Sequence, residues 1–258
     1  MKKFVIGDIH GDYRGLLDVL AEAKLDYEND MLIGLGDYCD GWPETSDVIS
    51  ELMKIKHFKG VQGNHDDWAL KFMPDEMTGD IRMKRDWLME RENWLHHGGE
   101  GTLISYKGKP DLWKKHEEWL TNLPYYLEED DKLFVHAGPV PGHSLEAITS
   151  TEPRALIWQR KFVYDLPYET WTNHREVYIG HTPTQTVKYI KHTGKPVKYE
   201  NTWFMDTGAA FTGQISLMNI DTKEVFQPRE SRYYYPDYKG RNYETYHQHI
   251  ALKEQGLR

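Results

Sequence analysis

Phe4-Val5-Ile6-Gly7-Asp8-Ile9-His10-Gly11 decides the fold. Its apolar run is too short and too β-branched for a helix, and it breaks at a glycine corner into a carboxylate and an imidazole. The same pattern returns at Leu32-Ile33-Gly34-Leu35-Gly36-Asp37-Tyr38-Cys39-Asp40-Gly41, Val61-Gln62-Gly63-Asn64-His65-Asp66, Leu133-Phe134-Val135-His136-Ala137-Gly138 and Val177-Tyr178-Ile179-Gly180-His181-Thr182. A polar side chain just past a buried strand has a stiff support and a free head. Any one of these corners reads as an ordinary turn. Five of them, all bearing metal-competent groups and converging on one edge, point to a site for a pair of hard or borderline metal ions.

The spaces between the first strands read as helices. Tyr13 to Lys24 carries Leu16, Leu17 and Leu20 at helical spacing, and Thr45 to Ile55, entered after Pro43, carries Val48, Ile49, Leu52 and Ile55 on one face. A further helix begins at Asp66. Strand, loop and helix thus alternate three times, which implies an α/β fold with parallel pairing and ligands at the C-terminal strand edges. Residues 74–122 are charged and rich in Trp, a helical insertion whose indoles are read as packing anchors. Further on, strands follow one another with few helices, ending in a hairpin of Gln214 to Ile220 with Glu224 to Gln227. The expectation is one domain over residues 1–258: two mixed β-sheets packed as a sandwich and flanked by helices. A Tyr-rich tail, 228–258, either wraps the surface or forms a short helix from Tyr243 onward.

The 258 residues suffice for a full core, and 39% hydrophobic with 13% aromatic residues suits a globular protein without a membrane-spanning run. Met1-Lys2-Lys3-Phe4 enters a strand at once, leaving no room for a signal peptide, and the single Cys39 cannot form an internal disulfide; a cytoplasmic location is expected. A formal net charge of −9 disfavours long nucleic acid as a partner while allowing a local basic pocket.

Gly7-Asp8-Ile9-His10-Gly11, Gly36-Asp37-Tyr38-Cys39-Asp40-Gly41 and Gly63-Asn64-His65-Asp66, followed by His136 and His181, resemble the motifs of the calcineurin-like metallophosphoesterase family. Within it they resemble the phosphoprotein phosphatase branch, especially its small bacterial and phage-type members. The likeness runs over residues 3 to 227. It implies that Asp8 and His10 bind a first metal, that Asp37 bridges two, and that Asn64, His136 and His181 complete the second. It also implies in-line attack on phosphorus by a hydroxide bridging the metals, with His65 as general acid and Asp40 orienting and charging its ring. A bridging carboxylate offsets the repulsion of cations about 3.5–4 Å apart. Mixed O and N ligation suits Mn, Fe, Zn or Co over Ca or Mg, availability then choosing among them; Mn is the ion expected, with Fe, Zn, Co or Ni as alternatives. The nearby carboxylate is expected to keep His65 protonated near neutrality.

The sequence departs from the family twice. The family's second motif continues Asp-Arg-Gly, and that Arg clamps substrate phosphate; here Asp40-Gly41-Trp42 stands instead. Its third motif ends in Glu, where Asp66 is a shorter residue with a supporting role. Arg160, after Ile157-Trp158-Gln159, resembles the second phosphate-binding Arg, with Arg154 as runner-up, and Asn64 is expected to face the phosphate as well. Trp42 either stacks on a base or peptide aromatic or starts the following helix as a packing residue. Asp206-Thr207-Gly208, which the family also carries, is read as a structural turn beneath the site. The resemblance implies a phosphomonoesterase of the Ser/Thr protein phosphatase type, or a dual-specific one, acting on a phosphorylated protein or small phosphoester. A symmetrical dinucleoside polyphosphate hydrolase or a nucleotide or RNA phosphatase is the alternative. A non-catalytic metal-containing scaffold is the third reading.

Overall fold

The structure, a computed structural model, describes residues 1–79, 84–140, 142–166, 174–191, 194–211, 213–238 and 241. The chain opens as β1 (Lys3–Ile6), α1 (Tyr13–Glu22), β2 (Met31–Gly34), α2 (Thr45–Leu52), β3 (His57–Gly60) and α3 (Asn64–Thr78). The insertion follows as α4 (Arg85–Trp94), a π turn at Leu95–Gly99, α5 (Glu100–Tyr106) and α6 (Pro110–Thr121). The remaining strands are β4 (Tyr126–Glu129), β5 (Lys132–Val135), β6 (Glu176–Ile179), β7 (Val197–Tyr199), β8 (Thr202–Phe204), β9 (Leu217–Asn219) and β10 (Val225–Phe226).

They form two five-stranded sheets, ordered β10-β9-β1-β2-β3 and β4-β5-β6-β8-β7. In the first, β1, β2 and β3 run parallel and β9 is antiparallel to β1; in the second, β5, β6 and β8 run parallel and the outer strands are antiparallel. Parallel strands end on the same side, so every Asp, His and Asn at a β1, β2, β3, β5 or β6 terminus is brought toward one rim.

Side-chain alternation sorts the core into layers. Val5, Ile33, Phe134, Tyr178 and Met218 meet between the sheets, where the Phe134 and Tyr178 rings stack at 4.9 Å. Their neighbours Phe4, Ile6 and Leu32 face outward onto Leu16, Val48 and Ile49 of α1 and α2. Leu133, Val135, Val177 and Ile179 face the other way, onto Ile148, Leu156 and Phe162. α1 starts where it does because the Asp12 carboxylate caps the Gly15 N–H at 2.8 Å. The insertion packs into the first helical layer through Trp87, Trp94, Tyr106 and Trp113. It docks backbone to backbone on the loop after β2. The Gly41 N–H donates to Gly98 O at 2.9 Å, and a Cβ on Gly98 (φ +103°) would stand 2.5 Å from Gly41 N.

The described part of the tail lies across α1. Its short helix, Ser231–Tyr234, is tied down by Arg14 Nη1, which donates to Tyr234 O at 2.8 Å. The helix expected from Tyr243 onward lies outside the described residues. No helix among those described is long and apolar enough to cross a membrane.

Candidate metal centre and active site

The strand-end loops are held at unusual cost. His10, Asp37, Asp40 and His181 all take positive φ (51°, 54°, 68° and 63°), a region that non-glycine residues seldom occupy and that clusters at functional sites. Asp66 shows how they are kept there. Its Oδ2 accepts from Asp37 N and Gly63 N at 2.9 Å, and its Oδ1 accepts from Tyr38 N at 2.9 Å and Cys39 N at 3.1 Å. One buried carboxylate at the start of α3 thus fixes the loop after β2, which is the supporting role expected of it. Burial and the neighbouring Asp37 push its pKa up to about 6.

Asp37 sits at the centre. Its Oδ2 is 3.5 Å from His10 Nε2 and its Oδ1 is 3.3 Å from His136 Nε2. It belongs to two groups of potential ligands, His10–Asp37–His65 and Asp37–His136–His181, the ligand atoms of each lying within 4.8 Å of one another. Asn64 Oδ1 lies 2.7 Å from His181 Nδ1 and 3.0 Å from His136 Nε2. Asp8 accepts the His181 N–H at 3.1 Å and stands 3.8 Å from His10 Nε2. The six residues expected as ligands are therefore gathered in one place.

The donor set itself calls for cations. His136 Nδ1 donates to Leu35 O at 2.7 Å, which in the neutral ring turns the Nε2 lone pair toward the oxygens of Asn64 and Asp37. His10 Nδ1 is 3.2 Å from Cys39 O, so its Nε2 likewise faces the carboxylates of Asp37 and Asp8. His181 Nε2 is buried without a partner. Acceptors facing acceptors need positive charge between them. The pKa values carry the same message. Burial works against a charge on His136, yet Asp37 and Asp8 raise it to about 9, while burial and then Asp206 and Asp37 hold Asp8 well above the usual carboxylate range. These residues fit a pair of divalent ions.

Above them stands His65. Its Nδ1 is 2.8 Å from Asp40 Oδ2, and its backbone N–H donates to Asp37 Oδ1 at 2.9 Å. Asp40 is in turn gripped by the insertion: Trp94 Nε1 donates to its Oδ2 at 2.9 Å and Thr102 Oγ1 to its Oδ1 at 2.7 Å. Here one expectation is corrected. Burial, against the pull of Asp37 and aided by Arg241, His10 and His97, drives the His65 pKa well below its ordinary value, and burial drives that of Asp40 well above. Desolvation outweighs the attraction of a carboxylate that is itself reluctant to ionise.

A cleft of about 260 Å³ opens over these groups, with Arg160, Asp206, Phe211 and Arg241 in its wall. Arg160 Nη1 donates to Thr182 Oγ1 at 2.9 Å and to His181 O at 3.3 Å. Arg154 is elsewhere, its fork on Asp67 Oδ2 at 2.7 and 3.0 Å. Asp206 accepts the Gly208 N–H at 2.8 Å, as a turn residue does, yet it also lines the cleft. Trp42 is fully buried, donating to Ala209 O at 2.8 Å and stacked under Tyr235, so it offers no face to a ligand. Cys39 is buried in the core. Arg241, one cation among many in a polar tail, carries no signal in the sequence, and the bond from Trp94 to Asp40 is marked there only by an indole in a stretch otherwise poor in apolar residues.

The model of the calcineurin-like phosphoesterase family matches residues 1–211. The chain is 24% identical over 237 residues to Serine/threonine-protein phosphatase 1 of Salmonella typhimurium, covering 84% of this chain and 91% of that protein. It is also 24% identical over 265 residues to the symmetrical Bis(5'-nucleosyl)-tetraphosphatase of Coxiella burnetii, covering 86% and 90% of the two chains. The crystal structure of a metallophosphoesterase from Sphaerobacter thermophilus shares the fold, with a TM-score of 0.54 at 15% identity over 88% of this chain and 87% of that one.

Proposed function

The chain belongs to the calcineurin-like phosphoesterase family, and from that premise we propose that it is a metal-dependent phosphomonoesterase of the Ser/Thr protein phosphatase type. The observation that carries the reading is Asp37, whose two oxygens face His10 and His136 on opposite sides while His65 stands above, backed by Asp40. We assign Asp8, His10 and Asp37 to one ion and Asp37, Asn64, His136 and His181 to the other. Two such ions, Mn first and Fe, Zn, Co or Ni as alternatives, would supply Lewis acidity and neutralise charge on the phosphoryl oxygens.

The chain's own groups do the rest. Arg160 and the Asn64 amide bind phosphoryl oxygens, and a guanidinium fork suits that task. His65 Nε2, which here accepts from Arg241 Nη1 at 2.9 Å, takes up a proton from solvent once a phosphoryl group draws Arg241 away and gives it to the leaving oxygen, while Asp40 holds Nδ1 and so aims the ring.

A groove of about 520 Å³ runs along the outer surface beside α3, lined by Trp68, Trp158 and Arg154. The Trp68 ring meets that of His65 at 5.1 Å, which sets the groove's aromatic wall beside the proposed acid. Such a wall suits the flanking residues of a phosphopeptide. It also suits a nucleobase, which keeps symmetrical dinucleoside polyphosphate hydrolysis as the second reading, although burial of Trp42 removes one of its motives.

The test is a substrate panel on metal-stripped protein reloaded with Mn, Fe, Zn or Ni: p-nitrophenyl phosphate, phosphoserine and phosphothreonine peptides, diadenosine tetraphosphate and bis(p-nitrophenyl) phosphate. The expected result is Mn-stimulated release of phosphate from the monoesters. A higher kcat/KM for diadenosine tetraphosphate than for the peptides moves the assignment to the second reading, and no turnover with any metal on any ester defeats both.

A further inference from the structure

We infer that Arg241, delivered by the C-terminal tail, is a phosphate-binding residue of the cleft. The assignment rests on the phosphoesterase reading above and adds a residue from outside the segment matched by the family model, which ends at residue 211.

The tail is fastened to the loop that follows Asp40 through Trp42 and Glu44. Tyr235 stacks on Trp42 at 5.2 Å with an 18° tilt, and its hydroxyl donates to Glu44 Oε2 at 2.7 Å. Tyr238 packs on the same indole at 6.2 Å. Three residues later Arg241 reaches the cleft, its guanidinium 4.6 Å over the Phe211 ring and its Nη1 2.9 Å from His65 Nε2. Its Nε is buried and finds no acceptor. A guanidinium held over an aromatic ring, with a buried donor unsatisfied, costs free energy unless an acceptor arrives. Arg160 lines the same cleft. Two like charges at one small opening, above a set of groups suited to cations, match a phosphate dianion, whose oxygens would satisfy both forks.

The loop after Asp40 has no means of supplying such a cation itself. Gly41 has φ +90°, and a Cβ there would stand 3.0 Å from His10 O and 3.1 Å from His10 Cβ. The π turn of the insertion is bonded to its backbone from the other side, through Gly98. A side chain at position 41 is therefore strained and hemmed in, and the tail fills the role from a distance.

The test measures inorganic phosphate binding by calorimetry on the Mn-loaded full chain, beside steady-state hydrolysis of p-nitrophenyl phosphate. Arg241→Ala is expected to weaken phosphate binding and raise KM by ~10–100-fold, the range for losing a hydrogen bond to a charged group. Arg241→Lys should recover part of the loss, as a point charge without the fork. Arg229→Ala, which removes an exposed tail charge, should match wild type. Metal content and melting temperature of each variant show whether it is folded. If wild type turns over and Arg241→Ala equals it in phosphate affinity and KM, the assignment fails and the phosphoesterase reading stands. Tighter phosphate binding and lower KM in Arg241→Ala would make the tail a plug and also overturn it. If wild type hydrolyses nothing, the phosphoesterase reading fails, and the phosphate titration alone decides Arg241, equal affinities again counting against it.

Discussion

The Trp94 indole N–H donates to Asp40 Oδ2 at 2.9 Å, the same oxygen that faces His65 Nδ1 at 2.8 Å. The insertion therefore reaches the proposed chemistry through a single carboxylate. Trp94→Phe keeps the ring stack on Phe72 and removes only this donor and part of the indole volume. Removing a hydrogen bond to a charged or polarised group costs about 1.5–3 kcal/mol, so kcat for phosphopeptides should fall roughly 10–100-fold with little change in KM. The loss on p-nitrophenyl phosphate should be smaller, because its leaving group needs little protonation. Equal losses on the two substrates would reduce Trp94 to a packing residue.

His65→Asn tests the acid directly. Loss of a positioned general acid is worth roughly 10²–10⁴-fold with a poor leaving group and much less with p-nitrophenolate. The ratio of the two losses is the measurement. A ratio near unity removes His65 from proton transfer whatever the size of the drop.

Much of this architecture could be read before the fold was known, for physical reasons that differ by residue. Asp8, Asp37, His136 and His181 each follow a buried strand and Asn64 follows the half-exposed edge strand β3, and parallel pairing brings such termini together without further information. The layering followed from alternation, as Leu133, Phe134 and Val135 show by facing opposite layers in turn. What escaped reading depends on contacts between segments remote in sequence. Trp42 packs, one of its two expected roles, but its cover, Tyr235, is remote in sequence and not visible from the local motif. The depression of the His65 pKa came from burial and from Arg241, neither visible in the local motif. Arg160, which follows a Trp at the family's interval, lines the cleft, whereas Arg154, of identical chemistry, is held by Asp67.

Metal should act as a folding ligand. The lone pairs and carboxylates around Asp37 repel one another until cations stand between them, so the stripped protein should melt at a lower temperature than the loaded one. Stabilisation by a ligand that binds only the folded state grows as about 2.7 kcal/mol at 100 times Kd. Melting temperature should thus climb with Mn concentration. Asp37→Asn, which removes the shared charge, should flatten that climb. A stripped protein that melts where the loaded one does contradicts a built metal site.

A buried histidine far from the cleft gives a pH signature. His116 Nδ1 is 2.7 Å from Tyr106 Oη and its Nε2 3.2 Å from Ser50 Oγ. Burial, with Lys115 and Lys109 nearby, pulls its pKa down to about 4. The unfolded chain takes up the proton below about 6.5, where the folded one does not. The stability contributed by the neutral ring is therefore complete above about pH 6.5 and is lost as pH falls toward about 4. The difference in unfolding free energy between wild type and His116→Gln should shrink over that interval, by up to about 3 kcal/mol. Urea midpoints at pH 7 and pH 4.5 measure it. A difference that stays constant with pH would mean that the ring titrates alike in both states.

The final prediction joins the tail to the cleft. Tyr235 is buried against Trp42, carries the Arg14 guanidinium 4.9 Å over its own face and donates to Glu44. Truncating such an aromatic costs about 3–5 kcal/mol where the surroundings hold. Here that penalty falls on an arm that can lift from α1 without unfolding the sheets, so Tyr235→Ala should release the arm more than it lowers the global melting temperature. If the arm exists to present Arg241, phosphate affinity should fall as far in Tyr235→Ala as in Arg241→Ala, although Tyr235 does not line the cleft. Tyr235→Phe keeps the stack, forfeits the hydroxyl's bonds to Glu44 Oε2 and from Arg14 N–H at about 1 kcal/mol each, and should bind phosphate nearly as wild type does. The double variant Tyr235→Ala/Arg241→Ala decides the matter. Residues acting through one arm are not additive, so the double should bind phosphate no more weakly than either single. Additive losses would mean that Tyr235 supports the cleft by a route of its own, through Trp42 and the loop that carries Asp40.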